Sequence, residues 1–245
     1  MSAGVPRYHQ VFTVLRQRIA DGFYAPGEQL PPEDLLASEW DVSRATLRQA
    51  VGQLVAGGLV RREQGRGTFV IGSRPEPLSL TFRGSLEDLI ESTRVTKMSS
   101  VRVDRRRTLP AHIAARLHLP SVQGTIVRRV RVGADGRPFG TLVNYLGDDL
   151  GKKVTVEGLR RATLLELLES RGVRLGGAEQ RIRAEVADVD VAADLDISVS
   201  QAVLAVERLV RDTDGHPVEL LRSWYRSDMY EYRMVFGRDG SAPER

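Results

Sequence analysis

The sequence predicts an α+β protein of two domains: a short helical domain closed by a β-hairpin, then a larger antiparallel-sheet domain with helices. Three observations carry this. Apolar residues recur at helical spacing up to Gly57-Gly58 and then alternate at strand spacing through LVRREQGRGTFVI. The stretch GSRPEPLS (72–79), with its two prolines, follows neither period and reads as a linker. Beyond it, a strand–turn–strand unit occurs twice.

Taken in order, residues 8–21 place Val11, Leu15 and Ile19 at i, i+4 and i+8, one face of a helix. Asp21-Gly22 and Pro26-Gly27 punctuate a loop. Pro31-Pro32 open a second helix, because a missing N–H costs nothing in a first turn, and Leu35, Leu36 and Trp40 give it an apolar stripe. Ser43 is the natural N-cap of a third helix whose Leu47, Val51 and Leu54 face inward. A β-hairpin with a glycine-bracketed tip follows. Helix, helix, turn, helix and hairpin make a winged helix-turn-helix, assigned to residues 1–72, with 73–79 as the linker and 80–245 as the second domain.

The second domain contains a repeat. GTIVRRVRVGADGRPFGTLVNYL (124–146) is matched by AVLAVERLVRDTDGHPVELLRSWY (202–225), and Asp135 and Asp214 stand 79 positions apart in equivalent turns. Helical stretches precede both copies at 111–119 and 191–197, and strand-like runs precede those at 100–107 and 178–189. The period is too long for a solenoid. It fits a duplicated strand–helix–hairpin unit giving about six antiparallel strands, with ATLLELLESRG (162–172) as a helix between the copies.

Composition narrows the function. The chain has 245 residues, 41% hydrophobic and 28% charged, and a formal net charge of +4. It contains no cysteine, which removes disulfides and thiolate chemistry. No apolar run is long enough for a membrane span, and MSAGVPRYHQ does not read as a secretory leader, so a cytoplasmic location is expected. The four histidines (9, 112, 118 and 216) show no metal spacing. No G-x-S-x-G or phosphate-binding glycine loop is present, so no enzyme activity, cofactor or metal is expected.

Charge is distributed unevenly. Residues 27–41 hold Glu28, Glu33, Asp34, Glu39 and Asp41 with no base, while 42–68 hold Arg44, Arg48, Arg61, Arg62 and Arg66 against Glu63. This predicts one face turned toward an anion and another turned away. In VSRATLRQA, Arg44, Thr46 and Arg48 occupy the start of the third helix, the end a recognition helix pushes into a major groove. Arginine can hold guanine O6 and N7 together, and threonine can meet a phosphate or a thymine methyl. At the wing tip, Gly65 and Gly67 allow close backbone approach, and Arg66 can enter a minor groove. A solvated helix end and an ordinary hairpin tip are the alternatives.

The segment PRYHQVFTVLRQRIADGFYAPGEQLPPEDLLASEWDVSRATLRQAVGQLVAGGLVRREQGRGTFV resembles the DNA-binding domain of the GntR family of bacterial regulators along its whole length. The resemblance implies DNA contacts at Arg44, Thr46, Arg48 and Gly65, and a phosphate contact at Tyr8. With Ser43, Arg66 and Gly67 from the reading above, these are the candidate DNA-binding residues. Where some members carry a base-contacting Arg after the Glu of the second helix, this chain has Asp34.

Residues 80–238 resemble the UTRA effector domain of the HutC subfamily, through Arg129-Val130-Arg131, Asp135-Gly136-x-Pro138, Thr163 to Leu168, and Tyr225 to Tyr230. The resemblance implies a chorismate-lyase-like fold and an effector pocket lined by Arg129, Arg131, Thr163 and Tyr230. Arg129 and Arg131 sit two apart on a strand, so both point to one face, where an inward arginine pair needs an anion. Ser85 in RGSLEDL either caps a helix or touches the effector. An acid often follows the hairpin proline by four positions in this subfamily; here that position is Leu142. The expected protein is a homodimeric repressor on double-stranded operator DNA, released by a small anionic effector. The competing readings are an enzyme or carrier with an accessory DNA-binding module, and a ligand-free architectural protein.

Overall fold

The computed structural model describes residues 6–71, 78–82, 85–87, 90 and 97–234, with 78–82 as backbone alone. The chain divides into two compact units, residues 1–76 and 77–245.

In the first unit, α1 (Arg7–Ala20), α2 (Glu33–Glu39) and α3 (Arg44–Ala56) precede the antiparallel hairpin β1 (Val60–Glu63) and β2 (Gly67–Val70). The helical periods meet in one core: Val11, Leu15 and Ile19 of α1 pack with Leu36 of α2 and with Leu47, Val51 and Leu54 of α3. Ser43 caps α3 by accepting a hydrogen bond from the Thr46 N–H at 3.1 Å. The stripe expected on α2 is narrower than its sequence implied. Leu36 and Ala37 are buried, but Leu35 is 60% exposed. The core-facing side of this short helix is taken by Leu36 and Ala37, with Trp40 packed against the core at its end, so Leu35, about 100° round from Leu36, is left on the outer side. Residues 27–30 add a third layer of pairing to the hairpin: Gly27 N–H donates to Val70 O, and Leu30 N–H to Thr68 O.

In the second unit the six long strands form one antiparallel sheet. They are β4 (Lys97–Thr108), β5 (Gln123–Val132), β6 (Pro138–Leu146), β7 (Leu175–Val186), β8 (Ala202–Asp212) and β9 (Pro217–Arg226), ordered β4-β5-β6-β9-β8-β7. The order is its own image about the β6–β9 seam. Val143 pairs with Arg222 there, partners separated by the same 79 positions as the two turn aspartates. In both hairpin turns the glycine after the aspartate takes a positive φ, +79° at Gly136 and +84° at Gly215, which explains the repeated D-G.

The copies also share helices, α4 (Ala111–Arg116) and α8 (Val189–Leu195), each before the inner hairpin of its half. Both lie on one face of the sheet, where Ile113 packs with Val143 and Leu220, and Val191 with Val203. Between the copies lie α5 (Asp148–Gly151), α6 (Val156–Arg161) and α7 (Leu164–Glu169). They cover the opposite face: Leu159, Leu164 and Leu168 pack on Val127 and Leu146. Residues 72–77 of the expected linker lie outside the described residues. Residues 78 and 79, also assigned to it, instead begin β3 (Leu78–Phe82), which pairs in parallel with β10 (Tyr230–Met234). No local period could reveal a pairing between segments so far apart in the chain. Among the described residues, no helix is long and apolar enough to cross a membrane.

Candidate functional site

The first site is the exposed start of α3 with the adjoining wing. Arg44 and Arg48 project from the first turns of α3, with side chains 69% and 70% exposed. The Ser43 and Thr46 hydroxyl oxygens lie 2.8 Å apart, so both side chains help to build the helix end that presents the arginines. Tyr8 is half-buried near the start of α1, against His9. At the wing tip Arg66 is exposed and paired with Glu63, and its guanidinium lies 5.7 Å from the Phe69 ring. Gly65 has a φ of +72° and open space around its Cα. Gly67 has a second reason to be glycine: a Cβ there would lie 2.2 Å from Gln29 Nε2, which donates to Arg66 O at 2.8 Å. It locks the wing to residues 27–30.

Two of the acids of residues 27–41, Glu33 and Asp34, are not on a separate face from the arginines, as the grouping suggested. Glu33 accepts from Arg48 Nε and from Arg62 Nη2, each at 3.0 Å, and Asp34 lies 2.7 Å from Arg44 Nε. The first turn of α2 lies beside the first turn of α3, so two blocks that are separate in sequence interleave in space.

The second site is buried in the sheet of the other unit. Alternation along β5 turns Thr125, Val127, Arg129 and Arg131 to the face covered by α6 and α7, and Arg129 and Arg131 are only 5% and 2% exposed. Arg129 Nη2 donates to Asn144 Oδ1 at 2.8 Å, and Asn144 Nδ2 donates to Glu219 Oε1. Arg208, buried on β8, donates through Nε to Gln180 Oε1 at 2.8 Å. Glu219 is the carboxylate that Arg129 and Arg208 both act on, and Arg131 adds a third buried guanidinium beside Arg129. Among the described residues, Arg129 Nε and Arg131 Nε and Nη1 are buried and meet no hydrogen-bond partner. A buried unmet donor costs roughly 1–3 kcal/mol, and more on a charged group.

The electrostatics follow from burial. The Arg129 guanidinium is lowered to about 10, first by desolvation and then by repulsion from Arg131. Arg208 is lowered for the same first reason. Desolvation raises the Glu219 carboxyl, and Arg208, Arg129 and the bond from Asn144 oppose it. Tyr230, 5% exposed, stacks on Tyr225 with centroids 4.1 Å apart, and burial raises its hydroxyl against the pull of Arg131 and Arg208. Gly140 makes room for the stack, since a Cβ there would lie 2.7 Å from a Tyr225 ring carbon.

Of the predicted effector residues, the fold brings Arg129, Arg131 and Tyr230 together. Thr163 caps α7 instead: its hydroxyl accepts from Glu166 N–H and its own N–H donates to the Glu166 carboxylate, a complete capping box. That role accounts for the threonine without a ligand. Ser85 is exposed, ahead of helical Leu86 and Glu87. Leu142 is buried directly opposite Arg129. Arg208, Glu219, Asn144 and Gln180 escaped the sequence reading. The repeat could have found Arg208, which stands 79 positions after Arg129.

A winged helix-turn-helix that exposes arginines, joined to a second sheet domain, is the arrangement of a DNA-binding regulator. Residues 7–70 match the model of the bacterial regulatory proteins of the gntR family, and residues 91–231 match the UTRA domain. The chain is 32% identical over 238 residues to the HTH-type transcriptional regulator Rv0792c of Mycobacterium tuberculosis, covering 96% of this chain and 87% of that one. It is 29% identical over 208 residues to the HTH-type transcriptional repressor STM4068 of Salmonella typhimurium, covering 83% and 84%. Among solved structures, PhnF from Mycobacterium smegmatis shares the fold with a TM-score of 0.53 at 24% identity, covering 93% of this chain and 99% of that one. The protein belongs to the GntR family of transcriptional regulators, in its UTRA-bearing branch.

Proposed function

We propose that this regulator acts in the cytoplasm as a homodimeric repressor on an inverted-repeat DNA site, and leaves that site when a small anion enters the buried arginine cluster. Arg44 and Arg48 read bases in the major groove, and Arg66 reaches the minor groove from the wing. A dimer fits this use because one winged helix reads few bases, and a protein twofold is mirrored in a two-half operator.

The observation that carries the effector reading is the unmet hydrogen-bonding capacity of Arg129 and Arg131. Among the described residues, Arg129, Arg131 and Arg208 outnumber the one carboxylate of the cluster, Glu219, and an anion with several acceptor oxygens answers both the charge and the unmet donors. Leu142, lying opposite Arg129 at a position where this subfamily often has an acid, favours an effector with an apolar body over a polyol. The test is a thermal-shift screen of carboxylates, phosphates and sulfonates on the wild type and on Arg131→Ala. A compound that stabilises the wild type and leaves the variant unmoved supports the site. Equal stabilisation of both places the ligand elsewhere.

A further inference from the structure

We infer that Asp34 determines specificity on the DNA-reading surface, by positioning the guanidinium of Arg44 for base contact. The inference rests on Arg44 touching DNA and extends that reading to a residue of another helix.

Asp34 lies on the first turn of α2 and Arg44 on the first turn of α3, with Arg44 Nε 2.7 Å from Asp34 Oδ1. The contact is made through Nε, so the Nη1 and Nη2 donors remain for a second acceptor such as the O6 and N7 of a guanine. The side chains are 69% and 61% exposed, and an ion pair in that setting contributes only ~0–1 kcal/mol to folding. Its larger effect comes when a duplex desolvates the surface and the same charges meet in a lower dielectric. An arginine already tethered loses less rotamer freedom on contact than a free one.

The carboxylate acts in a second way. It repels phosphates, so it weakens sequence-independent binding and raises the penalty for a misplaced base. Its free oxygen can also accept from the N4 amino group of a neighbouring cytosine. Glu33 differs, because its side chain is 26% exposed and bridges Arg48 to Arg62, tying α3 to β1.

The experiment uses the full-length protein and duplexes that it enriches from a pool with randomised central base pairs. Affinity for an enriched duplex and for a scrambled version is measured for the wild type, Asp34→Ala, Asp34→Asn, Arg44→Ala and the Asp34→Ala/Arg44→Ala double variant, with melting curves to confirm folding. Both Asp34 variants should lose about fivefold or more on the enriched duplex and bind the scrambled one as well as or better than wild type. They should relax the base preference at the position that Arg44→Ala relaxes, and the double variant should be no worse than Arg44→Ala. Asp34 variants that enrich the wild-type sequence with wild-type discrimination overturn the inference while Arg44 stands. If Arg44→Ala also discriminates like wild type, the Arg44 contact itself falls, and the inference with it.

Discussion

Arg129 and Arg208 are counterparts in the two halves of the sheet: Arg129 lies opposite Leu142 on its hairpin partner strand, and Arg208 lies opposite Leu221 on its own. The two leucines are themselves separated by the repeat period. The repeat thus sets one buried arginine on each side of the β6–β9 seam, and Arg131 adds a third that the second copy lacks, having Val210 there. Ligand-free, this is an expensive interior, because desolvating a charge without a partner costs several kcal/mol per ion.

That cost has a measurable sign. Arg131→Met keeps the length of the side chain and removes its two unmet donors, so it should stabilise the ligand-free protein by about 1–3 kcal/mol in chemical denaturation. It should also remove stabilisation by the anion. A large loss of stability in this variant would mean that Arg131 is a structural residue.

Glu219 makes the site pH-dependent. Burial raises its carboxyl, so as pH falls the folded protein takes up this proton before an exposed glutamate would. Protonation removes the internal counter-charge of the arginines, so an anion that stays ionised, such as a sulfonate, should bind more tightly as pH drops through that range. Titration calorimetry on the wild type and Glu219→Gln checks this; the variant should bind tightly at neutral pH and respond little to acid. Parallel pH profiles for the two proteins would count against it.

Much of the fold was legible because its signals are local. The i, i+4 spacing of Val11, Leu15 and Ile19 and the paired D-G turns specify elements whose neighbours lie close in sequence or repeat at a fixed distance. What escaped depends on register or on tertiary approach. Asn144 and Glu219 meet only because β6 and β9 pair at the seam, and β3 finds β10 across almost the whole second unit. Asp34 and Glu33 read as a separate acidic face because no sequence period shows that α2 begins beside α3. Thr163 was assigned to the pocket by resemblance, although the T-x-x-E pattern with Glu166 already spelled a capping box.

Gly140 is required by packing. In Gly140→Ala the added methyl meets Tyr225 at 2.7 and 2.8 Å, and that ring is stacked on Tyr230, with Phe139 6.4 Å from both tyrosines. The variant should lose about 1–3 kcal/mol of stability and weaken anion binding together. Unchanged melting would show that the aromatic stack yields easily.

Dimerisation should belong to the second unit. Sedimentation equilibrium of the full chain and of residues 77–245 should give dimers at micromolar concentration, and residues 1–76 should be monomeric. A monomeric 77–245 fragment would contradict this.

The most direct test is an operator-binding titration on the enriched duplex with and without the best anion from the screen, for wild type and Arg131→Ala side by side. Ligand and DNA can oppose each other only if they favour different states of the protein. The account predicts that saturating anion lowers wild-type DNA affinity by about 5–150-fold and leaves Arg131→Ala bound with near wild-type affinity. An anion that occupies the wild type without changing its DNA affinity, or that releases Arg131→Ala equally, would contradict the claim that this buried cluster is the switch.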